Sequence, residues 1–296
     1  MSEDTITPRL LTWYERSARE LPWRSGDVTP WGVLVSEVML QQTPVARVLP
    51  VYGQWLQRWP DPASLAGDSP GEAVRLWGRL GYPRRALRLH AAAGACVDRH
   101  DGVVPDDIRA LRALPGVGEY TAAAVASFAF AQRHAVLDTN VRRVQARLFD
   151  GREFEPTGAV TVPERARALE ALPDDGRAAT VSIAFMELGA LVCTARSPRC
   201  DSCPLGKSCT WVLAGRPAWS GAPRRGQSYT GTDRQCRGRL LAVLREAHGA
   251  VPRAALDAAW PDAAQRDRAL DGLVADGLAE PLPHGRFRLP KGRARA

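Results

Sequence analysis

Two carboxylates stand where acid chemistry could be done. Glu37 is the one charged residue between Asp27 and Arg47, and Val33, Leu34, Val35, Val38, Met39 and Leu40 surround it. In an apolar pocket a carboxyl has its pKa raised and can act as a general acid near neutral pH; turned to solvent it stays an ordinary carboxylate. Asp138 follows the apolar run Ala135-Val136-Leu137 and opens a helical pattern. Its local role is an N-cap, which does not stop it from also facing a cleft. One acid to protonate a leaving group and one carboxylate to stabilise the cation left behind is the pairing that glycosidic cleavage uses.

Four of the six cysteines, Cys193, Cys200, Cys203 and Cys209, form one tight run, while Cys96 and Cys236 stand apart. Such a four-thiol run reads as a metal site rather than as disulfides, and four thiolates suit zinc or an iron–sulfur cluster. Zinc sites favour two separated Cys-x2-Cys pairs, and here there is a single one. Arg196, Arg199 and Lys207 between the cysteines would carry positive charge on the loops.

Leu114-Pro115-Gly116-Val117-Gly118 lies between two helical patterns. Its glycines let the backbone turn tightly and approach a ligand, and the helix that follows offers unpaired N–H groups to a phosphate. By itself this could be an ordinary helix–helix turn; eighty residues or so before a cysteine cluster, it reads as a helix-hairpin-helix.

These residues need a folded frame, and the composition supplies one. Of 296 residues, 45% are hydrophobic and 24% charged, as in globular rather than disordered chains. No apolar run nears the ~18 residues of a membrane span, and the polar, acidic start does not resemble a secretory signal. The net charge is +8, which favours a polyanionic partner. Basic residues crowd at Arg75, Arg79, Arg84, Arg85 and Arg88, and at Arg216, Arg224, Arg225, Arg234, Arg237 and Arg239. Lysines occur only at Lys207 and Lys291, so arginine, which grips phosphate in bidentate fashion, carries nearly all the positive charge.

Thr29-Pro30 and Thr43-Pro44 each read as an N-cap hydroxyl before a first-turn proline. Helices are predicted over 30–41, 44–59 (disturbed by Pro50), 71–80, 84–99, 106–114, 120–131, 141–148, 163–172 and 178–192, with hardly any β pattern before residue 210. A Gly/Pro/Ser-rich stretch over 213–234 reads as a linker. Three short helices over 237–246, 253–259 and 263–276, then a hairpin over 279–289, suggest a small winged-helix-like unit over 235–290. A basic tail, 291–296, ends the chain.

Leu21-Pro22-Trp23-Arg24, Ser36-Glu37-Val38-Met39-Leu40-Gln41-Gln42-Thr43, Gly78-Arg79-Leu80-Gly81-Tyr82, the hairpin, Leu137-Asp138-Thr139-Asn140 and the four cysteines follow one another over residues 8–212. In that order they resemble the MutY-type A/G-specific adenine DNA glycosylases of the helix-hairpin-helix/endonuclease III superfamily. The stretch Arg224–Gln235 looks like their short actinobacterial form. The resemblance implies a mostly α, two-lobed fold over 1–212, with a six-helix domain near 29–132 and an iron–sulfur domain from 1–28 and 133–212. It implies a [4Fe–4S] cluster on the four cysteines. The expected partner is double-stranded DNA with A:8-oxoguanine or A:G mispairs, met by a monomer in the bacterial cytoplasm and nucleoid.

The resemblance also implies roles. Glu37 protonates adenine and activates water, Asp138 stabilises the sugar cation or links to it transiently, and Tyr120 and Asn140 support that centre. Trp23 and Arg24 hold the flipped adenine, and Arg19 belongs with the substrate and DNA contacts. Leu40, Gln41, Gln42 and Tyr82 fill or wedge the stack beside the partner base, and Gly116, Val117 and Gly118 meet the backbone. Endonuclease III carries a Schiff-base lysine two residues after the hairpin; here Glu119-Tyr120 follows it, so hydrolysis without strand cutting is expected. The tail is too short for the Nudix-like domain of longer members, Pro83 replaces a common Tyr and Thr139 a common Gly. That makes recognition of the oxidised guanine less secure than adenine excision. A thymine/uracil mismatch glycosylase and a non-catalytic iron–sulfur DNA-binding regulator are the competing readings; the latter leaves Glu37 and Asp138 without a joint purpose.

Overall fold

A computed structural model describes residues 6–221 and 229–292. Residues 222–228 of the expected linker, with Arg224 and Arg225, and 293–296 of the basic tail lie outside the described residues. In chain order the helices are α1 (Ile6–Ser17), α2 (Pro30–Leu40), α3 (Val45–Arg58), α4 (Pro62–Gly67), α5 (Pro70–Trp77), α6 (Arg84–Arg99), α7 (Ile108–Arg112), α8 (Glu119–Phe130), α9 (Thr139–Leu148), α10 (Val162–Glu170), α11 (Ala178–Leu191), α12 (Thr210–Leu213), α13 (Asp233–Glu246), α14 (Arg253–Asp257) and α15 (Ala263–Ala275). Three short strands, β1 (Val251–Pro252), β2 (Glu280–Leu282) and β3 (Arg286–Arg288), form an antiparallel sheet in the order β1-β3-β2. No helix among the described residues is long and apolar enough to cross a membrane.

Local chemistry explains most of the helix ends. Ser69 and Asp138 cap α5 and α9 through their side-chain oxygens, and Thr161 with Glu164 forms a capping box on α10. Helix α5 stops at Trp77 rather than at Leu80 because Gly78 takes φ +54. Helix α7 is shorter than its pattern because Asp107 accepts from the N–H groups of Arg109 and Ala110 and starts the helix late. Thr29 accepts from Gly32 N at 3.1 Å as a cap should. Thr43 does not cap α3: its hydroxyl donates to Leu80 O and accepts from Arg85 Nη2. Helix α1 escaped the sequence pattern because Ile6 and Leu10 are its only fully buried residues.

The chain divides into two compact units. Of the described residues, one comprises 6–33, 106–112 and 118–221, the other 34–105, 113–117 and 229–292. In the first unit α8 packs Ala123 and Ala124 on Val136 and Met186, and the nearly all-apolar α11 buries Val181, Ala184, Phe185 and Leu188 among residues of α1 and α9. In the second unit Trp55 meets Trp59 and Trp77 edge-on, at 4.7 and 5.6 Å between centroids, contacts that add about 1 kcal/mol each beyond burial.

The C-terminal elements share that second unit. Arg245 of α13 donates to Val74 O of α5 at 3.0 Å, Gly71 N donates to Pro290 O at 2.8 Å, and Arg84 pairs with Asp276 at 3.2 Å. Gly71 has no room for a side chain, since a Cβ there would lie 2.6 Å from Pro290 O.

Candidate functional site

Glu37 sits midway along α2 and is 5% exposed, so the buried alternative of the two sequence readings holds. The end of α2 is organised by Arg85, a guanidinium 6% exposed. It donates to the carbonyls of Val38 (2.8 Å), Met39 (3.0 Å), Gln41 (2.6 Å) and Gly81 (3.0 Å), and to the Thr43 hydroxyl (2.9 Å). The first three are carbonyls at the end of α2, where a helix leaves such groups unpaired. Burial lowers the Arg85 pKa to about 10, still cationic at neutral pH. The two turns it joins are left-handed at non-glycine residues, Gln42 with φ +54 and Tyr82 with φ +45, a conformation that persists when the surroundings hold it. Arg85 thus fixes the Leu40-Gln41-Gln42 turn against the Gly81-Tyr82 turn, and leaves Gln42 and Tyr82 exposed. The crowded arginines of this stretch are therefore not one solvated face: Arg85 is internal, and Arg75 pairs with Glu72 at 2.9 Å.

In the hairpin Gly116 takes φ +79, and a Cβ there would lie 2.6 Å from Arg88 Cβ, so both conformation and space require glycine. Val117 is buried while Gly116 and Gly118 are exposed. Helix α8 begins after Gly118, which has no side chain with which to cap it.

In the first unit Asp138 caps α9: Oδ1 accepts from Val141 N at 2.7 Å and Oδ2 from Asn140 Nδ2 at 2.9 Å. Burial raises its pKa, against the lowering effect of these bonds and of Arg143. Asn140 in turn accepts from Arg143 Nη2 at 2.7 Å, and Arg143 also donates to Gly189 O (2.7 Å) and Cys193 O (2.8 Å). Gly189 lets α11 press on Asn140; a Cβ there would lie 2.7 Å from Asn140 Cβ. Tyr120 packs beside Ala123, Ala124 and Val136.

Trp23 is buried in a short 3-10 turn, Pro22–Arg24. The arginines flanking it converge on one carboxylate. Arg19 holds Glu187 through Nε (2.6 Å), Nη2 (2.9 Å) and its backbone N (3.2 Å), and Arg24 Nη1 adds a bond of 2.8 Å. Burial pushes Glu187 up, but the two guanidiniums outweigh it and hold its pKa below the usual range. Sequence reasoning missed Glu187, although the signal was the one that marked Glu37: a lone acid within an apolar helix.

The four cysteines follow α11 and share its hydrophobic cluster, and none is in a disulfide. Arg147, 1% exposed, donates to Cys193 Sγ at 3.3 Å and to Thr194 O at 2.8 Å, and stacks on Trp211 at 4.8 Å. Burial pushes the Cys203 thiol up to about 11, and the charges of Cys193, Cys209 and Cys200 act in the same direction. A bound cationic centre favours the thiolate form of the cysteines that hold it. Gly206 lets the loop pack closely on Cys200, because a Cβ there would lie 2.8 Å from Cys200 O. Cys209 is buried and the other three are half-buried; by their chemistry four thiolates suit a soft iron or zinc centre. Arg196 and Lys207 are exposed on this loop, as is Arg199, which also bonds Leu191 O.

Residues 35–161 match the family model of HhH-GPD superfamily base excision DNA repair proteins, and 193–209 match that of the iron–sulfur binding domain of endonuclease III. The chain is 57% identical to the adenine DNA glycosylase of Mycobacterium tuberculosis over 95% of its own length and 92% of that protein. It is 52% identical to that of Mycolicibacterium smegmatis over 96% of each, and 40% identical to the human one over 68% of this chain and 38% of that protein. Among solved structures, a thermostable thymine-DNA glycosylase superposes with TM-score 0.66 at 26% identity, over 72% of this chain and 97% of that one. A non-covalent endonuclease III–DNA complex gives TM-score 0.61 at 23% identity, over 73% and 98%.

Proposed function

This chain belongs to the adenine DNA glycosylases of base excision repair, and from that premise we propose that it hydrolytically removes adenine mispaired with 8-oxoguanine or guanine, leaving the strand uncut. The observation that carries the reading is Glu37, a buried carboxyl in the middle of an apolar helix. Glu37 protonates the adenine as it leaves and activates the attacking water; general-acid help of this kind contributes about 10²–10⁴ in rate. Asp138 stabilises the sugar cation, with Asn140 and Tyr120 as its support. Trp23 and Arg24 hold the extruded adenine, and Glu187 keeps Arg19 and Arg24 in place for it.

Leu40, Gln41, Gln42 and Tyr82 fill the stack at the partner base, on the turns that Arg85 joins. Gly116, Val117 and Gly118 meet a backbone phosphate. The cofactor is a [4Fe–4S] cluster; Cys193, Cys200, Cys203 and Cys209 would hold it. When bound, it ties the loop after α11 together as a structural centre. The element order from α13 to β3 supports a winged-helix-like reading of the C-terminal part. The enzyme acts as a monomer on nucleoid DNA in the cytoplasm.

Single-turnover base release from duplexes holding A opposite 8-oxoguanine, A opposite G, A opposite C and T opposite G tests this, each with and without hot alkali. Alkali-dependent nicking at A, fastest opposite 8-oxoguanine and lost in Glu37→Gln with DNA binding retained, is the expected result. Release of T, or nicking without alkali, would overturn the substrate or the hydrolytic assignment.

A further inference from the structure

Among the described residues, two aromatic side chains appear as large exposed groups, Tyr82 at 44% and Tyr229 at 51%. Both lie against the same guanidinium. Arg234 sits 4.9 Å from the Tyr82 ring centroid and 5.7 Å from that of Tyr229. Tyr82 comes from the turn before α6 and the other two from the start of the C-terminal part, so neither part alone holds the group.

All three positions are built rather than loose. Arg85 lies 5.6 Å from the Tyr82 ring and donates to Gly81 O. The Tyr229 carbonyl accepts from the Thr232 hydroxyl at 2.7 Å, and Thr232 caps α13, the helix that carries Arg234. Gly231 N donates to Gln235 Oε1 at 2.7 Å. Gln265 of α15 donates to Gly231 O at 3.0 Å and to Asp233 Oδ1 at 2.9 Å, while its own oxygen accepts from Trp260 Nε1 at 2.7 Å. The neighbouring acid, Asp233, is thus directed to α15, where Arg268 also faces it at 3.7 Å.

Flat aromatic rings around a planar cation on an exposed, preorganised surface suit a flat π-system on a polyanion. Bases displaced from a stack bind aromatic faces and arginine planes in this way. We propose that Tyr82, Arg234 and Tyr229 form one stacking surface that takes an unpaired or unstacked nucleobase of the strand facing the excised adenine. This rests on the reading of Tyr82 as the residue that enters the stack, and it adds the C-terminal part as a direct contributor. The role is stacking by two named side chains rather than diffuse phosphate attraction.

The test uses the full-length cluster-loaded protein and a duplex with 2′-fluoro-deoxyadenosine, which resists excision, opposite 8-oxoguanine. A 2-aminopurine next to the 8-oxoguanine reports stacking by its fluorescence. Tyr229→Ala and Arg234→Ala are compared with wild type, alongside Tyr229→Leu and Arg234→Lys, which keep bulk and charge respectively and guard against misfolding. The expected result is loss of most of the fluorescence change in all four. The alanine variants should also bind about 10-fold more weakly, near the low end of one base–aromatic stack. Unchanged fluorescence and affinity would overturn the proposal. So would intact fluorescence with a salt slope reduced by about one in Arg234→Ala, which would make Arg234 a phosphate contact. Because the probe is not cleaved, these outcomes are independent of adenine release by the wild type, whose absence would overturn the proposed substrate instead.

Discussion

At Asp138 two demands compete. As the α9 cap it accepts two hydrogen bonds, which favour the ionised form, yet burial dominates and raises its pKa. In the role proposed for it, stabilising a sugar cation, Asp138 must be ionised, so protonation should switch the enzyme off. The single-turnover rate is expected to fall with pH along an acid limb that lies above the ~3.9 of an ordinary aspartate, and a pH–rate profile at saturating enzyme measures it. Glu187 is the opposite case, with its pKa lowered by Arg19 and Arg24. Its contribution to stability is complete above the unfolded-state pKa and is lost as pH falls through the folded one. Glu187→Gln should cost about 3 kcal/mol at pH 7. That is the low end for breaking a buried pair, because Arg19 keeps a third of its side chain in water. Denaturant melts of the two proteins should converge at acid pH; an equal gap at pH 7 and pH 3.5 would show that the ion pairs are not its origin.

Elements are joined by small residues and internal arginines. Gly116 is required twice over, by its φ and by the approach of Arg88 on α6. Gly116→Ala is expected to displace the hairpin and weaken duplex binding about 10-fold or more, with the cluster's visible absorbance unchanged. Filter binding beside an absorption spectrum checks both. The helix patterns were legible because capping residues and apolar spacing act over a few residues: 84–99 coincides with α6, and Asp138 caps α9 as read. Helix α1 was not legible, since few of its residues face the core, and the role read for Thr43 was lost to Arg85, a partner 42 residues away.

For the molecule as a whole, the C-terminal part is more than a charged appendage. Arg237 is paired with Asp276, and the half-buried Arg245 bonds to α5, where burial lowers its pKa to about 10. Deleting residues 233–296 should therefore lower the Tm as well as DNA affinity, because it uncovers α5. Arg239, by contrast, is exposed. Arg239→Gln is expected to reduce the slope of log Kd against log salt by up to about one while leaving the Tm unchanged. Titrations at several salt concentrations with a thermal melt separate the two effects, and a deletion that keeps the wild-type Tm would refute the packing role.

Sequence alone determined the chemical inventory: the acid within an apolar helix, the cap at Asp138, the hairpin glycines, the run of four cysteines and the lack of a lysine after the hairpin. Each is a matter of residue type and near neighbours, which the chain states directly. Only the tertiary structure decided which charges are tools and which are struts. Arg19 meets Glu187 across 168 residues, Arg245 meets Val74 across 171, and Arg85 meets Val38 across 47. A guanidinium's partner is a carboxylate or a bare carbonyl brought near by packing, and no local pattern in the chain records that.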